Sequence, residues 1–291
     1  MDLLYRSKVF TPPGGFTSGI EGPACDWEGN LFAVNFGEQH TVGIVTPSGK
    51  CSVFLRLASG SIGNGIRFTS GGDMLIADYV NHNILRYSFR TDAISVFAHE
   101  SGMNQPNDIA ITADDWIFAS DPNWKTLSGN IWRIDPKGEV VLLESEMGTT
   151  NGIEVSPDED LLYVNESRQR CIWVYNISPS KAIYNKRLFH QFEDFSMDGM
   201  RCDTEGNLYV TCYDKGTILI FAPDGRPLTE VHLSGKKCSN LAFGGVDGRT
   251  CYVTLADTGN IEMFRTQIPG RAYMLHQRFA SLRNDIGRAR E

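Results

Sequence analysis

The sequence lacks the long apolar runs and the basic surface that mark membrane and nucleic-acid-binding proteins. No apolar stretch reaches the roughly 18–20 residues that a membrane-spanning helix requires, so we expect no membrane partner. The N-terminus has no basic start followed by an apolar run, so we expect no signal peptide. The net charge is −8, which argues against nucleic acid as a partner because phosphate binding needs a clustered basic face.

Several catalytic signatures are also missing. There is no Gly-x-Ser-x-Gly elbow and no phosphate loop, and the six histidines show no HExxH or His-x-His spacing, so we expect neither serine-nucleophile chemistry nor a zinc-hydrolase site. The seven cysteines are odd in number and include no CxxC pair. Several of them lie in apolar runs, where a thiol behaves as a small hydrophobic group. This pattern favours a reducing, cytoplasmic location.

What the sequence does contain is an internal repeat. Six short apolar runs, each preceded by turn residues, recur at intervals of 43 to 47 residues. Four short strands in each repeat of about 40–50 residues are typical of a propeller blade. The sequence therefore predicts an all-β, six-bladed β-propeller with four antiparallel strands per blade. The runs begin at Leu31, Met74, Ile117, Leu161, Leu208 and Cys251.

The two ends of the chain complete this prediction. The sixth repeat lacks an outer strand, and residues 5–10 can supply it, which would remove an open sheet edge. We predict one propeller domain over residues 1–270, with a metal site in its central channel, and a C-terminal tail over residues 271–291. Apolar residues at helical spacing predict a short helix in the tail, packed on the propeller or frayed; the alternative is a helix that binds a membrane or a partner. These residues are Leu275, Phe279, Leu282 and Ile286.

One polar position breaks the apolar pattern of every repeat. It lies ten residues before the first five apolar runs and eleven before the sixth. First strands line the channel of a propeller, so these side chains should meet in one ring. Carboxylate and carboxamide oxygens without thiolate or imidazole suit a hard cation such as Ca²⁺, Mg²⁺ or Mn²⁺. The ring consists of Glu21, Asn64, Asn107, Asn151, Asp198 and Asn240.

The alternative interpretation is that these are turn residues, since Asn and Asp favour turns. Two observations favour the site. The offset recurs in every repeat, and one position carries Glu, which is a poor turn residue. Moreover, two carboxylates in a narrow channel would repel each other unless a cation or a proton were present.

Six segments between residues 15 and 265 resemble the senescence-marker protein/gluconolactonase family, also described as regucalcin-like. The resemblance implies a six-bladed propeller with one divalent metal bound by Glu21, Asn151 and Asp198. It also implies that Asn107 contacts the substrate and that the reaction is hydrolysis of sugar or other lactones. Some members carry Arg at the position of Gln105, which leaves the sugar specificity open. The matching segments are residues 21–23, 105–109, 118–122, 151–158, 198–201 and 240–245.

From the resemblance we expect a lactonase whose partner is a small-molecule lactone. We expect Ca²⁺ as the metal, with Mg²⁺, Mn²⁺ or Zn²⁺ as alternatives. Asp198 is the candidate general base, and Asn107 and Asn64 are candidates for binding the substrate hydroxyls or ring oxygen. The alternatives are another ester or phosphotriester hydrolase on the same propeller, a calcium-binding propeller without turnover, and a propeller that binds protein or ligand on its face. The oligomeric state is left open.

Overall fold

Six separate four-stranded antiparallel sheets make up the structure, which is a computed structural model that describes residues 3–58 and 60–275. The first strands of neighbouring blades contact each other in a closed ring, so the sixth blade meets the first and the inner strands surround a channel. The predicted six-bladed propeller with four strands per blade is therefore confirmed.

Within each of blades 1 to 5, the four strands follow one another in the chain from the channel outward. Blades 1 to 3 comprise β2 (Phe16–Cys25), β3 (Leu31–Phe36), β4 (Thr41–Val45) and β5 (Cys51–Arg56), then β6 (Gly63–Phe68), β7 (Met74–Asp78), β8 (Asn83–Ser88) and β9 (Ala93–His99), then β10 (Ile109–Ile111), β11 (Ile117–Asn123), β12 (Ser128–Ile134) and β13 (Val140–Met147).

Blades 4 and 5 repeat this arrangement, whereas blade 6 takes its fourth strand from the N-terminus. They comprise β14 (Thr150–Val155), β15 (Leu161–Glu166), β16 (Cys171–Ile177) and β17 (Ile183–Gln191), then β18 (Ser196–Cys202), β19 (Leu208–Tyr213), β20 (Thr217–Phe221) and β21 (Pro227–His232), then β22 (Cys238–Gly244), β23 (Thr250–Leu255), β24 (Asn260–Arg265) and β1 (Lys8–Val9).

Burial follows the position of a strand within its blade. Every residue of β7 and of β14 is buried, whereas β17, at an outer edge, is mostly exposed. Strands covered on both faces read as continuous apolar runs rather than alternating ones, which explains the six runs seen in the sequence. The core lies between adjacent blades: Phe118 of blade 3, for example, belongs to the same buried cluster as Leu162 of blade 4.

The N-terminal strand closes the last blade, as predicted. Lys8 pairs with Met263 and Val9 with Glu262, although the strand is shorter than the six residues expected. The Glu262 side chain fixes this junction: it is 1% exposed, and its Oε2 accepts a hydrogen bond of 2.5 Å from Ser7 Oγ. Its Oε1 accepts one of 3.1 Å from the backbone N–H of Ser234.

Beyond β24 the chain returns to the propeller. Gly270 forms a backbone bridge with Asp203, and residues 271–275 form a short helical segment that buries Leu275. The other residues of the predicted helical stripe, Phe279, Leu282 and Ile286, lie outside the described residues. All seven cysteines are free thiols. In the described ranges, no helix combines the length and the apolar character needed to cross a bilayer.

Candidate active site

One cavity of about 320 Å³ collects five of the six ring positions predicted from the sequence. The sixth, Asn240, is buried beside the cavity and donates a hydrogen bond of 2.9 Å from Nδ2 to Glu21 Oε2. Residues from five different blades, far apart in the sequence, therefore meet at one place. The five that line the cavity are Glu21, Asn64, Asn107, Asn151 and Asp198.

Irregular strand pairing explains why these side chains point into the cavity. In five blades the register between the first and second strands shifts at the ring position, for example between Thr150 and Ile153 and between Met197 and Met200. Such bulges redirect a side chain and end regular pairing. In the third blade, Asn107 precedes β10, and its carbonyl oxygen accepts a 2.8 Å hydrogen bond from the N–H of the neighbouring blade's Gly65.

The glycine that follows a ring residue has a steric reason. A Cβ atom at Gly152 would overlap the carbonyl oxygen of Asp198 in the next blade. Gly22 has a φ of 58°, and a Cβ there would overlap the carbonyl oxygen of Asn64. At Gly22 and Gly152, neighbouring first strands approach each other so closely that only glycine fits.

The oxygens offered to the cavity suit a hard cation. Asn151 donates a 3.0 Å hydrogen bond from Nδ2 to Ser167 Oγ, while its buried Oδ1 has no hydrogen-bond partner among the described residues. Glu21 Oε2 accepts two hydrogen bonds, one from Asn240 and one from the Gly22 N–H. Glu21 Oε1 accepts no hydrogen bond from the described residues. Because an unpartnered buried oxygen is costly, Asn151 Oδ1 fits a cation that would take it as a ligand, and the carboxylate of Glu21 lines the same cavity.

The electrostatics of the cavity point the same way. Burial, followed by repulsion from the Asp108 carboxylate, raises the pKa of Glu21 to about 7. Burial also raises the pKa of Asp198 well above its usual range, and the Glu21 carboxylate adds to the effect. Without a cation, the two carboxylates would thus hold protons at a pH where isolated carboxyl groups are ionised.

Hydrogen bonds from side chains to backbone carbonyls hold the strand that carries Asp198 against the blade that carries Asn151. Asn165 Nδ2 donates a 2.6 Å hydrogen bond to the Asp198 carbonyl oxygen, and Ser167 Oγ donates to the Met197 carbonyl oxygen. Ser167 therefore holds both Asn151 and the strand that carries Asp198. Ser167 was not predicted as a functional residue, although it lies just after the apolar run that begins at Leu161.

The mouth of the cavity is partly aromatic. Trp124, which is 39% exposed, and Tyr213 line it, together with Arg168. Trp124 lies in the loop between β11 and β12. Gln105 is not among the lining residues; its backbone N–H donates a 2.6 Å hydrogen bond to Asp121 Oδ1, which holds the segment leading to Asn107.

Comparison with known proteins gives matches over most of the chain. The model of the family described as SMP-30/Gluconolactonase/LRE-like region matches residues 21–257. A gluconolactonase from Zymomonas mobilis is 27% identical over 86% of this chain and 79% of its own length. The pentonolactonase XacC from Haloferax volcanii is 26% identical over 52% of this chain and 53% of its own. The crystal structure of a calcium-binding protein, regucalcin, from Agrobacterium tumefaciens superposes with a TM-score of 0.77 at 19% identity, over 89% of this chain and 96% of that one.

Proposed function

The chain belongs to the SMP-30/gluconolactonase/LRE-like family, and from that premise we propose that it is a lactonase, which hydrolyses a lactone to the hydroxy acid. The observation that carries the proposal is the convergence of Glu21, Asn151 and Asp198 on one cavity, where Asn151 Oδ1 has no hydrogen-bond partner among the described residues. The relatives named gluconolactonase and pentonolactonase support lactones as the substrate class.

We propose that Glu21, Asn151 and Asp198 hold one divalent cation. Ca²⁺ is our first choice, because all the donors are oxygens and a structural relative is described as calcium-binding. Mg²⁺, Mn²⁺ and Zn²⁺ are the alternatives. When bound, the cation would supply a Lewis acid that polarises the carbonyl of the lactone.

The remaining steps use the protein's own side chains. Water attacks the carbonyl carbon of the cyclic ester, and the carboxylate of Asp198 takes the proton that the water loses. The bond between the carbonyl carbon and the ring oxygen then breaks, and the same proton passes to that oxygen, which yields the hydroxy acid. Asn107 and Asn64 donate and accept hydrogen bonds that orient the substrate hydroxyls in the cavity.

The residues at the mouth of the cavity, rather than those of the ring, determine which lactone is bound. Gln105 stands where some family members have Arg, and it does not line the cavity. We therefore propose that Trp124, Tyr213 and Arg168 select the substrate, because Trp124 and Arg168 lie in loops at the mouth of the cavity and Tyr213 ends the strand β19 beside them. The free thiols agree with the cytoplasmic location predicted from the cysteine pattern.

The test is acid release from a panel of aldonolactones and simple aliphatic lactones. Chelator-treated protein is compared with protein refilled with Ca²⁺, Mg²⁺, Mn²⁺ or Zn²⁺, and the Glu21→Gln variant with Glu28→Gln, which removes an exposed carboxylate outside the cavity. We expect turnover to vanish when the metal is removed and in the Glu21→Gln variant, and to persist in the Glu28→Gln variant.

Two other outcomes separate the alternatives. Cation binding without lactone turnover but with phosphotriester hydrolysis would assign the other hydrolase on this propeller. Cation binding without any turnover would assign a calcium-binding propeller and contradict the lactonase proposal.

A further inference from the structure

Beneath the cavity, four charged side chains from four blades fill the channel. Arg67, Asp108, Glu154 and Arg201 have side-chain exposures of 11%, 1%, 6% and 8%. Asp108 Oδ2 accepts a 2.9 Å hydrogen bond from Arg201, and Arg67 lies 3.4 Å from Asp108 Oδ1. Charges so deeply buried persist only when they are paired in good geometry.

Asn240 links this buried cluster to the cavity. Its Nδ2 donates to Glu21 Oε2 at 2.9 Å and faces Asp108 Oδ2 at 3.3 Å. Its Oδ1 accepts a 2.9 Å hydrogen bond from the backbone N–H of Leu241. The amide therefore has one orientation, with its nitrogen toward both carboxylates. Asn240 donates a hydrogen bond to Glu21 and does not offer its oxygen to the cavity, unlike the prediction for the six ring positions.

Asp108 stays ionised in spite of its burial. Burial raises the pKa of Asp108, but Arg201 and Arg67 outweigh it, so the pKa lies below its usual value. An anionic Asp108 attracts the Asn240 amide N–H and so keeps that amide from rotating. The Asn240 side chain also packs closely against Gly199, where an added Cβ atom would overlap it.

We propose that the Asp108–Arg201 ion pair is a positioning device for the metal ligand Glu21, acting through Asn240. The inference rests on the proposed function, because it treats Glu21 as a ligand. Asp108 and Arg201 lie beneath the ring and are absent from the cavity lining, so their action on the cation is indirect.

The test measures Ca²⁺ affinity by titration calorimetry of the chelator-treated, full-length protein. Asp108→Asn should weaken Ca²⁺ binding roughly 10- to 100-fold, which is the typical cost of losing a residue that orients a ligand. At saturating Ca²⁺ we expect kcat to fall while KM for the lactone stays unchanged. The matched control is Asp203→Asn, which alters a carboxylate that is 0% exposed but holds a turn through Asn207. This control should lose stability without losing Ca²⁺ affinity.

A double-mutant cycle tests whether Asp108 acts through Asn240. In the Asn240→Ala background, Asp108→Asn should cause no further loss of Ca²⁺ affinity, because the side chain that transmits the effect is gone. If Asp108→Asn alone does not fold, the pair variant Asp108→Asn/Arg201→Met removes the unmatched buried charge and should still bind Ca²⁺ more weakly.

Two results would overturn the inference. One is wild-type Ca²⁺ affinity in Asp108→Asn or in the pair variant; the other is additive losses from Asp108→Asn and Asn240→Ala. Both leave the lactonase proposal standing. In contrast, wild-type protein that binds none of Ca²⁺, Mg²⁺, Mn²⁺ and Zn²⁺ would overturn the metal site and the positioning role together.

Discussion

Replacing Glu21 by Gln should stabilise the metal-free protein and yet destroy its response to metal. The pKa of Glu21 rises from its usual value of 4.5 to about 7. A raised carboxyl pKa means that the folded state keeps its proton longer than the unfolded state. Stability is therefore greatest below pH 4.5 and is lost as the pH rises through 7. Above both values, the ionised carboxylate costs roughly 3 kcal/mol of folding free energy.

Gln avoids that cost without losing the local contacts. Both hydrogen bonds to Glu21, from Gly22 and from Asn240, reach the same oxygen, Oε2, so an amide oxygen placed there can accept both. With chelator present, we expect Glu21→Gln to be about 2–3 kcal/mol more stable than wild type at pH 9, and less than about 1 kcal/mol more stable at pH 5.

Guanidinium denaturation at 25 °C in chelator, at both pH values, measures these differences, with Glu28→Gln as the control that should change neither. In excess Ca²⁺ the order should reverse at pH 9. With free Ca²⁺ at 1,000 times its Kd, binding stabilises wild type by about 4.1 kcal/mol, which exceeds the advantage of about 2–3 kcal/mol of a variant that does not bind the ion. The electrostatic reasoning would be refuted if the difference in stability between variant and wild type were the same at both pH values. It would also be refuted if the metal-free variant were less stable than wild type.

Three further predictions concern residues around the same ring. Asp198→Asn should leave the circular dichroism spectrum intact and lower kcat in saturating metal by roughly 100-fold or more, since it removes the general base; near-normal kcat would contradict that role. Gly152→Ala should lower stability in denaturant titrations by about 1–3 kcal/mol, because the new Cβ overlaps the Asp198 carbonyl oxygen; an unchanged midpoint would argue against the close approach of the two strands. Glu262→Gln weakens the contacts with Ser7 and Ser234, so amide exchange should accelerate in residues 5–10 and not in the other blades.

The fold was predictable because a propeller repeats. Each blade buries its inner strands on both faces, so each repeat carries an apolar run that can be aligned with the next. The same alignment gave the ring, because a bulge at an equivalent place in five of the six first strands produces an equivalent side chain. Spacing alone was therefore sufficient to bring together Glu21, Asn151 and Asp198, which are separated by 130 and 47 residues in the chain.

The orientation of the ring members was not predictable. The alignment treats Asn240 as one of six oxygen donors, whereas the structure turns its nitrogen to Glu21. That orientation depends on Asp108, 132 positions away in the chain, and no local pattern encodes such a contact. One signal was available: Arg67, Glu154 and Arg201 each lie three residues after a ring position, inside otherwise apolar strands.

The C-terminal segment contributes a contact that the repeats could not predict either. Arg271 lies beyond the residues matched by the family model, yet it is 4% exposed and reaches the far end of the channel. It lies 3.6 Å from Glu154 and donates hydrogen bonds to the carbonyl oxygens of Ile111 and Ser156. These partners precede it by more than 100 residues, and Arg271 itself lies outside the six repeats.

Together these contacts balance the charges of the channel at every level except the cavity end, which supports the proposal of a cation there. The far end holds Arg67, Arg201 and Arg271 against the carboxylates of Glu154 and Glu159. Asp108, which pairs with Arg67 and Arg201 at the middle level, brings the count to three basic and three acidic side chains. The cavity end then keeps two carboxylates with no basic side chain at hydrogen-bond distance among the described residues. Because buried charges must be matched, a charge of +2 at that end is the arrangement that lets both carboxylates ionise.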